Sequence, residues 1–204
     1  MKKVLSFTAG LMLALLAVVF SVAVPAMNSA RFEKAVLSTV NCEAVGMSES
    51  DLTAFARETM DYLNGRQDAW QPQTPFAISA DFTQHMADVR HAADALKAAL
   101  PIGLALALAG LWVGRDRRMA RLGMLALLGV IAAVLLWAVV DFASLWYVIH
   151  LVFIPGGIFG AGEMVMMLFP LELFWGYAVP VGCWLAASFA VLIVLCSVKQ
   201  RGRG

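Results

Sequence analysis

Five stretches of this chain contain no Asp, Glu, Lys or Arg, and their lengths constrain the fold more than any other feature. They are Val4–Ala30, Ala98–Gly114, Leu122–Val140, Phe142–Gly162 and Leu173–Val198. A helix that crosses a bilayer needs roughly 20 mostly apolar residues, with about 17 as the lower limit. A soluble chain of 204 residues could not hide this much apolar surface, since 61% of the residues are hydrophobic and 14% are charged. The sequence therefore predicts an integral membrane protein, and the net charge of +1 excludes a generally basic nucleic-acid binder.

The fourth stretch differs from the other four because it combines an ionisable residue with a break in helical pattern. It contains His150, the sequence Pro155-Gly156-Gly157, and further glycines at positions 160 and 162. Proline and glycine disfavour a continuous spanning helix, and irregular backbone at membrane depth is tolerated only inside protein or beside a water-filled cavity. We therefore expect a re-entrant or interfacial segment here.

Basic residues indicate the number and direction of the spans. They cluster before the first span, between the second and third, and after the last, as Lys2 and Lys3, then Arg115, Arg117, Arg118 and Arg121, then Lys199, Arg201 and Arg203. Four spans place all three clusters in the cytoplasm, as the positive-inside rule requires. The predicted architecture is an all-α membrane protein with both termini cytoplasmic. Its spans are 4–26, 98–114, 122–140 and 178–198; its outer segments are 27–97 and 141–177; its cytoplasmic loop is 115–121 and its tail 199–204.

The N-terminal stretch has a second interpretation, a signal peptide that is removed. Lys2 and Lys3 precede an apolar run that ends near Ala23-Val24-Pro25-Ala26, which resembles an A-x-A cleavage site only loosely. The run is longer than the roughly 7–15 residues usual for a signal peptide, which favours an uncleaved span.

The outer segments hold most of the charge and the predicted helices outside the spans. Residues 31–97 contain six positive and ten negative side chains. Ser50-Asp51-Leu52 predicts a helix start, Asn64-Gly65 predicts its end, and an apolar stripe from Leu52 to Leu63 predicts that one face packs on the outer domain or on the membrane. Asp81 with Gln84 resembles a capping box, and the helix that follows is expected to continue past Pro101 into the second span.

Two of the three histidines are candidate catalytic residues. His85 shares a predicted helix face with Asp81 and Asp88, and we place it in the first turn, where the helix dipole favours a neutral imidazole. A neutral histidine beside a carboxylate can act as a general base. His150 lies in an almost wholly apolar segment, where an ionisable group is costly and therefore indicates function. The alternative for His85 is a polar residue at the membrane interface, which is how we interpret His91.

These residues resemble the lipoprotein intramolecular transacylase family of bacterial membrane proteins. The resemblance rests first on His85-Met86-Ala87-Asp88-Val89 before the second span and Ile149-His150-Leu151-Val152-Phe153 after the third. It extends to the acid, apolar run and proline of Glu163–Pro170, to Phe174-Trp175, and to Asp61-Tyr62-Leu63-Asn64-Gly65. Neither histidine motif is specific alone, but together, in this order and with four spans, they are fairly specific.

The resemblance implies an acyl transfer on lipoproteins in the outer leaflet of the bacterial plasma membrane. The sn-2 acyl chain of a diacylglyceryl-Cys would move to the α-amino group of the same Cys, giving an N-acyl lyso-lipoprotein. His85 and His150 would carry the chemistry, with the roles of base and acid left open, and Asp88, Asp141 and Glu163 would orient them. No cofactor or metal is expected. The partners would be the diacylated lipoprotein and membrane phospholipid, and the site would face the extracytoplasmic side.

Two alternatives of other classes remain open. A zinc-dependent membrane hydrolase could use His85, His150 and one of the carboxylates Asp88, Asp141 and Glu163, although no H-E-x-x-H motif is present. A scaffold or lipoprotein-handling subunit would carry no chemistry at all, since a family resemblance does not fix a member's function. In a scaffold, replacing the histidines would change assembly or abundance.

Overall fold

The computed structural model describes residues 1–154, 157, 159–160 and 162–197, with side chains described as far as residue 194. Within these residues all regular structure is helical, in ten helices. They are α1 (Lys2–Ala26), α2 (Ser29–Thr39), α3 (Cys42–Val45), α4 (Glu49–Leu63), α5 (Ala80–Gly114), α6 (Arg117–Val140), α7 (Phe142–Phe153), α8 (Met164–Leu168), α9 (Leu171–Trp175) and α10 (Ala178–Ser197). Pro155 and Gly156 of the expected break, and the basic residues of the expected tail, lie outside the described residues.

Three helices are long and apolar enough to cross a bilayer, namely α1, α5 and α6. A fourth candidate span joins α8 and α9 to α10 across a bend of 45°. Helix α7 has 12 residues and at 1.5 Å per residue is only about 18 Å long, shorter than the roughly 30 Å hydrocarbon core. The predicted all-helical membrane fold is therefore confirmed, with three or four candidate spans by length and composition.

The chain divides into two compact units. We call the first the membrane unit; it comprises residues 1–22 and 96–137 and the chain from Pro180 onward. We call the second the outer unit; it comprises residues 23–95 and 138–179. Both histidine motifs belong to the outer unit.

Within the membrane unit, glycines allow α1 and α6 to approach closely. A Cβ added at Gly10 would overlap the backbone of Ala120, and one added at Gly123 would overlap the backbone of Phe7. Close backbone approach through small residues is how helices pack in lipid, where the hydrophobic effect does not drive association. The glycines therefore hold these two helices together through backbone contact.

The outer unit is organised by a buried core to which most of its helices contribute. On α4, the predicted stripe is buried at Leu52, Phe55, Ala56 and Met60. These side chains pack within the outer unit's own core, so the stripe contacts the outer domain, which was one of the two predicted alternatives. In the same core, the indole N–H of Trp70 donates a 3.1 Å hydrogen bond to the hydroxyl of Thr59, so its one polar group is satisfied.

The helix starts differ from the predicted ones by a few residues. Helix α4 is capped by Ser48, whose side chain accepts from the backbone N–H of Asp51 while the Asp51 carboxylate accepts in return. Helix α5 begins at Ala80, and the hydroxyl of Ser79 accepts from the backbone N–H of Phe82. In each case an earlier serine presents an oxygen to the free N–H groups of the first turn. As predicted, α5 continues through Pro101 to Gly114.

Candidate active site

The N-terminal part of α5 holds His85 inside the outer unit. Its neighbours on the same helix face, Phe82 and Met86, are 2% and 3% exposed and belong to the hydrophobic core. His85 itself is 9% exposed. Because α5 begins at Ala80, His85 lies in the second turn and not in the first as the sequence suggested. Burial, and not the helix dipole, is therefore what controls its charge.

Helix α7 carries His150 and fixes one of its ring nitrogens. The Asp141 carboxylate accepts from the backbone N–H of Ser144 at 2.9 Å and so caps the start of this helix. One turn before His150, the backbone carbonyl of Trp146 lies 3.0 Å from Nδ1 of the imidazole. A carbonyl oxygen can only accept, so Nδ1 carries the proton and Nε2 of neutral His150 is left with a free lone pair.

The two histidines meet as a stacked pair. Their ring centroids are 5.8 Å apart and their planes differ by 25°. Phe159 presents an edge to His85, with centroids 5.2 Å apart, and Trp146 lies against His150, with centroids 4.6 Å apart. The sequence offered both histidines as candidate catalytic residues, and the structure stacks their rings between other aromatic rings.

Gly157 lies directly against His85. A Cβ built on Gly157 would clash with Nδ1 of His85 and would lie 2.5 Å from its Cε1. The Nδ1 atom is buried and has no hydrogen-bond partner among the described residues. No sequence pattern indicated this contact, because a glycine in an apolar segment is usually interpreted as a break in the helix.

Burial and the neighbouring imidazole together keep His85 neutral. Desolvation of the buried ring, followed by repulsion from His150, lowers the pKa of His85 from 6.5 to about 4. The charge of Asp88 acts in the opposite direction and is the smallest of the three effects. His85 is therefore an uncharged imidazole at neutral pH.

The three carboxylates predicted to orient the histidines have other hydrogen-bond partners. Asp88 accepts from the side-chain amide of Gln84 at 2.9 Å, Asp141 caps α7, and Glu163 accepts from the backbone N–H of Gly160 at 2.5 Å. The contact that orients His150 comes instead from the backbone of Trp146. Sequence reasoning missed it, although Trp146 precedes His150 by one helical turn and that spacing was available as a signal. An orienting role for the carboxylates stays a prediction.

A metal site was one of the two competing interpretations of these residues. Among the described residues, no group of three or more His, Cys, Asp or Glu side chains is placed to hold a metal ion. The described part of the chain therefore lacks the three-ligand set that the zinc hydrolase alternative requires.

Comparisons with known proteins give the family of this chain and solved structures of similar fold. The sequence model of the family described as lipoprotein intramolecular transacylase Lit matches residues 7–155, a range that includes both histidines. A solved structure of the membrane-integral lipoprotein intramolecular transacylase Lit from Bacillus cereus is similar in fold, with a TM-score of 0.77 at 13% identity over 96% of this chain and 94% of that one. A His-to-Arg variant of the Bacillus cereus protein gives a TM-score of 0.69 at 13% identity, over 96% of this chain and 90% of that chain. No curated protein sequence matches. Because the family model covers more than half of the sequence, this chain belongs to the lipoprotein intramolecular transacylase (Lit) family.

Proposed function

We propose that this protein moves the sn-2 acyl chain of a diacylglyceryl-Cys lipoprotein to the α-amino group of the same Cys. The observation that carries the proposal is the stacked pair of His85 and His150, which lies among aromatic rings in a chain that belongs to this family. One ring has a free basic nitrogen fixed by Trp146, and the other is held neutral by burial. An acyl transfer needs a base for the attacking amine and a donor for the oxygen on which charge develops.

The reaction balances without a cofactor or a second substrate. The lone pair of the neutral α-amino group attacks the ester carbonyl carbon and forms a C–N bond. The tetrahedral intermediate then breaks its C–O bond to the glyceryl oxygen. One proton leaves the nitrogen and one arrives at the glyceryl oxygen, so the products are an amide and an alcohol.

His150 is the residue suited to move that proton. Its Nδ1–H donates to the carbonyl of Trp146, which fixes the ring and leaves Nε2 free to accept a proton from the attacking amine. The imidazolium so formed can return the proton to the leaving glyceryl oxygen. General acid–base catalysis of this kind contributes typically 10²–10⁴-fold.

His85 is suited to donate a hydrogen bond and not to take up the proton. Its low pKa means that it stays neutral while His150 is charged. Its Nδ1 is buried against Gly157 and has no acceptor in the part of the chain that the structure describes, so a proton on Nε2 avoids leaving a buried N–H unpaired. An Nε2–H directed at the substrate would stabilise the oxyanion of the tetrahedral intermediate. Loss of one such donor typically costs about 10²–10³ in rate.

The substrate itself supplies proximity, because amine and ester belong to one molecule. Effective molarities of well-oriented intramolecular reactions reach about 10⁵–10⁸ M. The enzyme's part is then to hold the two ends together and to move one proton. The positive-inside rule, applied to Lys2, Lys3 and the arginines between positions 115 and 121, favours an extracytoplasmic position for the outer unit, where lipidated proteins and phospholipid would reach it.

Expression in a bacterial host whose lipoproteins are otherwise diacylated tests the proposal. Mass spectrometry of the lipoprotein N-terminus should find one acyl chain on nitrogen and the other on the glyceryl group. His85→Ala and His150→Ala should lose this product at normal membrane levels, whereas His91→Ala, which replaces an exposed histidine on the same helix, should keep it. Unchanged diacylglyceryl-Cys at good expression would refute the proposal. A fall in abundance without a change in product would support a scaffold instead.

A further inference from the structure

We propose that Gly157 is a positioning residue, whose missing side chain leaves the space that the ring of His85 occupies beside His150. The proposal deepens the proposed function, on which its catalytic part rests. It assigns a role to a residue that touches no reacting atom and acts only through His85.

The space at Gly157 is too small for even one methyl group. A Cβ there would lie 2.5 Å from Cε1 of His85, whereas ordinary van der Waals contact begins near 3.4 Å. It would also lie 3.2 Å from a methyl carbon of Ile154, which is closer than ordinary van der Waals contact. An alanine at position 157 would therefore have to push the imidazole by about 1 Å.

His85 has no easy way to yield. Its ring also meets two others: His150, stacked with centroids 5.8 Å apart, and Phe159, in a T-shaped contact with centroids 5.2 Å apart. The ring is only 9% exposed, so it cannot swing into solvent without leaving the core. A side chain at position 157 would consequently displace His85 from its stacked position beside His150.

The backbone at Gly157 does not itself require glycine. The glycines with left-handed φ among the described residues are Gly46 and Gly65. Alanine is therefore compatible with the backbone conformation at position 157, and the effect of Gly157→Ala isolates the contact with His85. Gly162 is the matched control, because it lies in the same segment and a Cβ added there would meet nothing within 4 Å.

The first measurement is the rate of acyl transfer by purified protein in lipid nanodiscs. A misplacement of about 1 Å in a catalytic group can cost about 100-fold in rate, so Gly157→Ala should lower kcat by that order while KM changes little. Gly162→Ala should keep wild-type kcat. A Gly157→Ala enzyme with wild-type kcat would overturn the proposal.

The second measurement separates positioning of His85 from general damage, and it needs no activity. Thermal unfolding is measured for Gly157→Ala alone and in a His85→Ala background. If the clash is with the imidazole, Gly157→Ala should lower the Tm of the wild-type background by about 2–4 °C or more and leave the Tm of the His85→Ala background unchanged. Equal losses in both backgrounds would show that Gly157 serves the fold in some other way, and would refute the proposal.

The third measurement follows the imidazole directly. The chain has three histidines, so the ring signals of labelled protein can be assigned by His→Gln variants. The groups that face His85 are His150 on α7 and Asp88 on its own helix. In Gly157→Ala, the displaced ring is no longer held in its buried position, and the pKa of His85 should rise from about 4 toward 6.5, with no change in Gly162→Ala. If the wild-type protein proves inactive while this change and the unfolding result appear, the proposed function fails and the positioning role stands.

Discussion

Acid should destabilise this protein through His85, and the size of the effect follows from its surroundings. The folded protein lowers the pKa of His85 from 6.5 to about 4, first by burial and then by repulsion from His150. The unfolded chain therefore takes up a proton at a higher pH than the folded chain does. Stability contributed by neutral His85 is present above pH 6.5 and is lost as the pH falls toward 4.

The magnitude can be worked from these two values. Applying the linkage relation to a pKa of 6.5 in the unfolded state and about 4 in the folded state gives a loss of about 2 kcal/mol between pH 7 and pH 5. At pH 4 the loss approaches about 3 kcal/mol. For a chain of this size, 2 kcal/mol corresponds to a fall in Tm of about 4–8 °C.

The assay is thermal unfolding in detergent at pH 7 and pH 5, for the wild type, His85→Gln and His91→Gln. The glutamine at position 85 keeps a polar side chain but cannot titrate, so His85→Gln should lack the part of the acid-induced fall that belongs to His85. His91→Gln, which changes an exposed histidine, should keep the whole fall. If His85→Gln and the wild type lose the same number of degrees between pH 7 and pH 5, the reasoning about burial of His85 is wrong.

Three further substitutions test the supports of the fold and of the site. Gly10→Ala should reduce the yield of folded protein, because the added methyl group would overlap the backbone of α6. Gly129→Ala is the control, because a Cβ there meets nothing within 4 Å, and it should express normally. Equal yields of the two variants would contradict the packing of α1 on α6. Asp141→Ala removes the cap of α7, so it should lower the free energy of unfolding by about 0.5–2 kcal/mol and should also lower kcat. Asp141→Asn keeps a capping oxygen, and its recovery of both quantities would show that the cap is responsible. Thr59→Val leaves a buried indole N–H without its acceptor and should lower the free energy of unfolding by about 1–3 kcal/mol in chemical denaturation. Thr53→Val, at a half-buried threonine whose hydroxyl donates only to the carbonyl of Glu49 in its own helix, should lower it little.

The sequence predicted the two histidines but not the way they are held. Local patterns correctly predicted helix α4, its buried stripe and the continuation of α5 through Pro101, because helical periodicity depends on residues that are close together in the sequence. They misplaced the helix starts by a few residues, since several serines and aspartates near each start could serve as the cap. They did not anticipate the hydrogen bond between His150 and the backbone carbonyl of Trp146, because a carbonyl is present at every residue and only the one-turn spacing pointed to this one. The orienting role of the carboxylates stays a prediction.

The sequence by itself determined that the chain folds in a membrane and which ionisable residues are candidates for catalysis. The length of a charge-free stretch is measured against a bilayer of nearly fixed thickness, and an ionisable residue in such a stretch is costly enough to indicate function. Only the tertiary structure decided that His85 and His150 stack, which ring nitrogen of His150 is free, and why position 157 has no room for a side chain. These features depend on packing between the start of α5, helix α7 and the segment that follows it. Such contacts join residues far apart along the chain, so no local pattern encodes them.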